Sequence, residues 1–119
     1  MTTQQIASRL TELCRKGEFV QAQKELYAEN AVSIEPFETP EFEKVTQGLG
    51  RLFEKGKKFT NMVETIHAVD ISDPLVAGNA IAFTMTMDVT MKGKNRSSFD
   101  QICLYQVKDG KIVSEQFYV

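Results

Sequence analysis

The dipeptide Asp109-Gly110 forces the end of this chain into a hairpin. Asp-Gly between alternating apolar runs marks a two-residue turn, because a type I′ turn needs positive φ at both central residues. The flanking strands are predicted over Phe99 to Lys108 and Lys111 to Val119. A regular hairpin sets Lys108 opposite Lys111, Gln106 opposite Val113, Leu104 opposite Glu115, Ile102 opposite Phe117 and Asp100 opposite Val119. One face then carries Asp100, Ile102, Leu104, Gln106, Val113, Glu115, Phe117 and Val119. The other carries Phe99, Gln101, Cys103, Tyr105, Val107, Ile112, Ser114, Gln116 and Tyr118. Both faces mix large apolar and polar groups, unlike a sheet with one dry and one wet side. The hairpin is therefore expected to be covered twice, by a cavity or helices on one side and by a partner subunit on the other.

A chain of 119 residues holds one domain with one core. Net charge is -2, so no basic field exists for nucleic acid or an anionic membrane surface. The two basic clusters, Arg15-Lys16 and Lys55 with Lys57-Lys58, read as solvated helix ends. No apolar run reaches membrane-spanning length, and the first residues lack the charged and apolar regions of a signal peptide. Cys14 falls in a helix pattern and Cys103 in a strand, which suits two buried reduced thiols rather than a disulfide. The expected compartment is the cytoplasm.

Upstream of the hairpin, Ile6, Leu10, Leu13 and Cys14 make one apolar face of a helix over residues 3 to 16, closed by Lys16-Gly17. A second helix, Glu18 to Ala28, turns Phe19, Ala22, Leu26 and Tyr27 inward. Ala31 to Glu35 reads as a strand with Ser33 and Glu35 on one side, stopped by Pro36. Residues 36 to 44 form a loop, either a solvated connection or the rim of a pocket. Val45 to Gln47 is a strand fragment, and Gly48 to Lys58 a third helix with Leu49, Leu52 and Phe53 on one face. From Phe59 the period changes to two, with strands at about 61 to 71, 76 to 91, 97 to 108 and 111 to 119. In the second of these, Ile81, Phe83, Met85, Met87, Val89 and Met91 line one side. Strands this long twist and curl, and a curled sheet closed by helices leaves a cone.

The helices, the meander of long strands and three stretches carry a family resemblance. These stretches are Leu26 to Ala31, Ile34-Glu35-Pro36 and Val107 to Val113. Together they resemble the nuclear transport factor 2-like superfamily, and within it the SnoaL-like, polyketide cyclase-like family. The resemblance implies an α+β cone, a curved antiparallel sheet packed against three N-terminal helices. It also implies an internal pocket for a small apolar or carbonyl-type molecule and a homodimer through the outer sheet face. The superfamily spans isomerases, cyclases, dehydratases and transport adaptors, so fold alone does not give function. Tyr105 and Tyr118 are expected at the dimer face.

Glu35 occupies the place of the proton-abstracting base in ketosteroid isomerases, just before proline. Leu10 and Ile102 stand where that family's oxyanion donors would be, so steroid isomerisation by that mechanism is not expected. The hairpin register puts Glu115 and Asp100 beside Ile102, Leu104 and Phe117, on the face that the resemblance turns toward the pocket. A carboxyl held among apolar groups rises toward the range useful for general acid or base work. SnoaL-like cyclases are similar in using a cavity acid without a cofactor. His67, the only histidine, is a further candidate base, though a lone strand histidine is more often a packed, hydrogen-bonded residue. Tyr27, Phe53, Phe83, Met85, Met87, Ile102, Leu104 and Phe117 are the expected pocket residues. One histidine and two distant cysteines make no zinc set, and neither a nucleophile elbow nor a phosphate loop is present. The expected function is binding of a small molecule, with cofactor-free isomerase, cyclase or lyase chemistry by pocket carboxylates. A non-catalytic ligand-binding or dimeric interaction module is the alternative.

Overall fold

Helix α1 (Thr3–Arg15) starts at a capping box: Thr2 Oγ1 accepts from the Gln5 N–H, and Gln5 Oε1 accepts from the Thr2 N–H. It ends where Gly17, at φ 73°, lets the Glu18 N–H reach the Leu13 carbonyl at 2.9 Å and its own N–H reach Cys14 at 3.0 Å. Helix α2 (Phe19–Leu26) follows at once and is tied back to α1 by a fork from Arg9 to both oxygens of Glu25, each at 2.8 Å. That guanidinium holds the Glu25 carboxyl well below the usual range, at about 2. The computed structural model describes all 119 residues.

Strand β1 (Tyr27–Ile34) begins directly after α2, earlier than the helical periodicity suggests. Tyr27 is extended because it already pairs with Ile112 of the C-terminal strand. Strand β2 (Val45–Gln47) pairs with β1, and α3 (Leu49–Met62) runs four residues past Lys58. Then come β3 (Val63–Ile71), β4 (Leu75–Ala77), β5 (Ala80–Met91), β6 (Arg96–Lys108) and β7 (Lys111–Tyr118). The sheet order is β2-β1-β7-β6-β5-β3, with the short β4 folded back onto β5. Only β1 and β7 run parallel. The result is an α+β fold in which three helices cover the inner face of a curved sheet. Ile6, Leu10 and Leu13 of α1 share the core with Ile81, Phe83 and Val89 of β5, and Phe83 stacks on Tyr105 at 5.3 Å.

The turn at Asp109-Gly110 has the two positive φ angles its sequence demands, 52° and 74°. The register beyond it differs from the regular hairpin. Val107 pairs with Ile112, but Gln106 pairs with Ser114, so Val113 is an extra residue in a β-bulge. Glu115 therefore faces Tyr105 instead of Leu104, and Phe117 faces Cys103 instead of Ile102. Because side chains alternate, this one-residue slip turns Glu115 and Phe117 to the face of Cys103, Tyr105, Val107 and Ile112. The bulge keeps Ile112 and Glu115, three residues apart, both buried on the inner side.

Candidate functional site

Between the helices and the inner sheet face lies a cavity of about 910 Å³. Leu10 and Cys14 of α1, Phe19 of α2, and Leu52, Lys55 and Phe59 of α3 form one wall. Met85 and Met87 of β5, Phe99 and Tyr105 of β6, and Glu115 and Phe117 of β7 form the other. The loop after β1 supplies the rim through Pro36, Phe37, Thr39 and Phe42. Its ends are closed by a 2.8 Å bond from the Glu35 N–H to the Lys44 carbonyl. Two cations of α3 hold it down: Lys58 bonds the Glu41 carbonyl and lies 5.4 Å from the Phe42 ring centroid, and Arg51 pairs with Glu43.

The polar groups of this largely apolar chamber are linked. Glu115 is buried, and each of its oxygens accepts a hydroxyl proton, Oε1 from Tyr27 and Oε2 from Ser33 at 2.6 Å. The parallel pairing of β1 and β7 makes this possible, since it sets Ser33 directly beside Glu115. Lys55 Nζ donates to Ser33 Oγ at 2.9 Å and pairs with Glu35 Oε1 at 2.8 Å, over the Phe117 ring. The chain of contacts thus runs from Tyr27 through Glu115, Ser33 and Lys55 to Glu35.

Burial pushes the Glu115 carboxyl above its ordinary value, and the bonds from Ser33 and Tyr27 and the Lys55 charge work against that. Burial, with the nearby Glu115 charge, also raises the Tyr27 phenol well above its usual range. The Cys14 and Cys103 thiols are pushed up to about 12, again mainly by burial, and both are unpaired. They are inert as nucleophiles near neutral pH. No group of three His, Cys, Asp or Glu side chains converges as a metal ligand set.

A SnoaL-like domain model matches residues 1 to 119. The chain belongs to the SnoaL-like family. A candidate SnoaL-like polyketide cyclase from Mesorhizobium loti is 33% identical over 100% of both chains, with a TM-score of 0.93. An NTF2-like protein from Burkholderia pseudomallei has a TM-score of 0.83 at 12% identity, covering 99% of this chain and 91% of that one. TerC, crystallised with polyporic acid, has a TM-score of 0.76 at 11% identity over 98% of this chain and 89% of its own. These last two show the fold alone. Among curated proteins none matches the chain.

Within this SnoaL-like cone the bulge decides where the sequence candidates fall. Tyr27, Glu35, Met85, Met87, Glu115 and Phe117 line the cavity. Asp100 lies on the outer sheet face, exposed and bonded by Thr86 Oγ1 at 2.5 Å. Ile102, half exposed, and Leu104 share that outer face, because they stay in phase with Asp100 while the bulge shifts β7. Tyr105, expected at a dimer face, is inside for the same reason. His67 sits at a second irregularity, between Ile66 and Ala68, exposed and 2.7 Å from Thr90 Oγ1. Phe83 is buried in the core beneath Tyr105, and Phe53 is half-buried on α3 away from the cavity lining.

Three groups of the site escaped the sequence reading. The sequence places Lys55 at a solvated helix end, yet its side chain is only 16% exposed. The signal was present: Leu52, Lys55 and Phe59 follow at i, i+3 and i+7, one helix face. Ser33 is fully buried, in phase with Ala31 on β1. Phe59 opens the last turn of α3, which runs four residues beyond the Lys58 end expected from the sequence.

No helix is long and apolar enough to cross a membrane.

Proposed function

We propose that the cavity binds one small, largely apolar molecule bearing a carbonyl-type group, and that Glu115 acts on it as an acid and base without a cofactor. In this reading the Glu115 carboxylate takes a proton from the carbon next to the carbonyl, exchanges it with solvent, and protonates that carbon or another atom of the same molecule. The observation that carries the proposal is a buried carboxyl on the wall of a cavity large enough for a drug-sized ligand, raised by burial toward the range of an effective base. The ligand found with TerC is in keeping with a fold that accepts small molecules. Isomerase, cyclase or lyase chemistry all begin with this proton transfer.

The test is α-proton exchange in D2O, followed by NMR across a panel of enolisable ketones and aldehydes. Exchange of at least one compound is expected, with Glu115→Gln slowing it by about 100-fold or more. Glu35→Gln should leave binding intact and change the rate less. A panel with no exchange, or exchange that survives Glu115→Gln, overturns the catalytic reading. A specific observation favours a second, non-catalytic reading: both Glu115 oxygens already hold hydroxyl partners. Binding without exchange would select it.

We also propose that two chains pair through the outer sheet face, where Ile102 and Tyr118 are 50% and 44% exposed and sit opposite one another across β6 and β7. The two unpaired, buried cysteines suit a reducing compartment, and we place the protein in the cytoplasm.

A further inference from the structure

The chain of contacts behind Glu115 has a direction. Lys55 has no acceptor, so in its bond to Ser33 the ammonium must donate. Ser33 then has one proton left to give, and it points at Glu115 Oε2, 2.6 Å away. At the other end Lys55 meets Glu35 Oε1 at 2.8 Å, and the Glu35 side chain is 24% exposed. From Lys55 inward each donor points toward Glu115, and the same ammonium also donates outward to Glu35. We propose that Lys55 and Ser33 form a proton path that joins the buried Glu115 to solvent at Glu35. This deepens the reading of Glu115 as the cavity's acid and base, and rests on it.

The path balances. For inward transfer the Lys55 ammonium gives a proton to Ser33 Oγ, and the Ser33 hydroxyl proton passes to Glu115 Oε2. The Lys55 amine then takes the proton carried by Glu35. The net change is one proton moved from Glu35 to Glu115, with only O–H and N–H bonds made and broken. Outward transfer reverses each step. An acid that handed back the very proton it took would need no such path. One whose proton exchanges with solvent between abstraction and return needs a route, and the cavity wall around Glu115 otherwise offers only poor proton carriers.

Those other groups can be named. Glu115 is faced by Cys14 from α1, Tyr27 and Ser33 from β1, Cys103 and Tyr105 from β6, Lys55 from α3, and Glu35 at the end of β1. The thiols and phenols stay protonated at neutral pH, being pushed up by burial. Lys55 is the one cation among them, and Glu35 the one other carboxyl. Lys55 is thus a positioning residue: it acts through Ser33 and sets how readily Glu115 gains or loses its proton.

The experiment is a carboxyl-carbon NMR titration of full-length protein labelled in glutamate, with Glu115→Gln to assign the signal. No ligand is needed, so a failed carbonyl screen leaves the result intact. Lys55→Met is expected to move the Glu115 midpoint up by about one pH unit or more. It should also broaden the Glu115 signal at its midpoint as proton exchange slows. Lys55→Arg keeps the charge and the donors but its guanidinium does not give up a proton, so it should restore the midpoint and leave the signal broad. Glu35→Gln should move the midpoint the opposite way, down, and tests the coupling even if Lys55→Met does not fold. An unmoved midpoint in either variant overturns the proposal. So does a midpoint that moves in Lys55→Met while the signal stays sharp, because charge alone would then explain it.

Discussion

Glu115 is the residue on which the proposed chemistry of the chamber turns, and its environment pulls in two directions. Removal from water disfavours its charged form, while two hydroxyl donors and the Lys55 charge favour it. Burial prevails, so the folded carboxyl binds its proton more tightly than the unfolded one, whose value is about 4.3. Between the unfolded and the raised folded value the native state holds more protons, so stability from this group is fully present below about pH 4.3 and is lost as pH rises through the folded value. Glu115→Gln removes that dependence. Urea unfolding of both proteins from pH 4 to pH 8 is expected to show the wild type losing stability relative to Glu115→Gln as pH rises. A wild type that instead gains relative stability with pH would mean that the hydroxyls and Lys55 outweigh burial.

At the scale of elements, the hairpin shows what a sequence carries and what it omits. The Asp109-Gly110 turn was legible because only its backbone angles admit that residue pair so readily. Helix α1 was legible because Ile6, Leu10, Leu13 and Cys14 repeat with the helical period and all are buried. The bulge at Val113 was not, since an extra residue in a strand leaves no mark in residue type when Val, Ser and Gln suit either face. Everything past that point on β7 changed face: Glu115 and Phe117 joined Tyr105 inside, which left Asp100 and Ile102 of β6 without them on the outer face. The Tyr27 to Glu115 contact was hidden for another reason, because the parallel pairing of β1 with β7 joins residues 88 apart. The bulge makes a sharp forecast. Ile112 pairs with Val107 and Ser114 with Gln106, so deletion of Val113 should yield a regular ladder without changing either pair. Glu115 in that variant is expected to stay inward and to titrate above the ordinary carboxylate value. If the sheet were in the regular register instead, the deletion would turn Glu115 outward and its midpoint would fall to that of an exposed acid.

The whole molecule has two sheet faces with different work. The inner face is closed by helices around the cavity. The outer face is open and mostly polar, with Arg96 paired to Asp88 at 2.8 Å and Thr86 bonded to Asp100, yet it carries Ile102 and Tyr118 side by side toward one end. Strands β3, β5, β6 and β7 have 9, 12, 13 and 8 residues. At about 3.3 Å per residue and about 4.8 Å between strands, they present roughly 650 Å² in plan. Side-chain relief raises the accessible area above that, to the order of the 800 Å² per partner that a stable pairing buries. The face is therefore large enough for the proposed dimer, in which Ile102 and Tyr118 would be the apolar contact and the ion pairs part of a polar surround. Sedimentation equilibrium is expected to give twice the 13.4 kDa chain mass. The double variant Ile102→Lys, Tyr118→Glu should sediment as a monomer. Its Glu115 titration should match the wild type, because neither side chain reaches the cavity. A wild-type monomer at the concentrations used for NMR would remove the dimer, and a double variant that still pairs would move the interface to another surface.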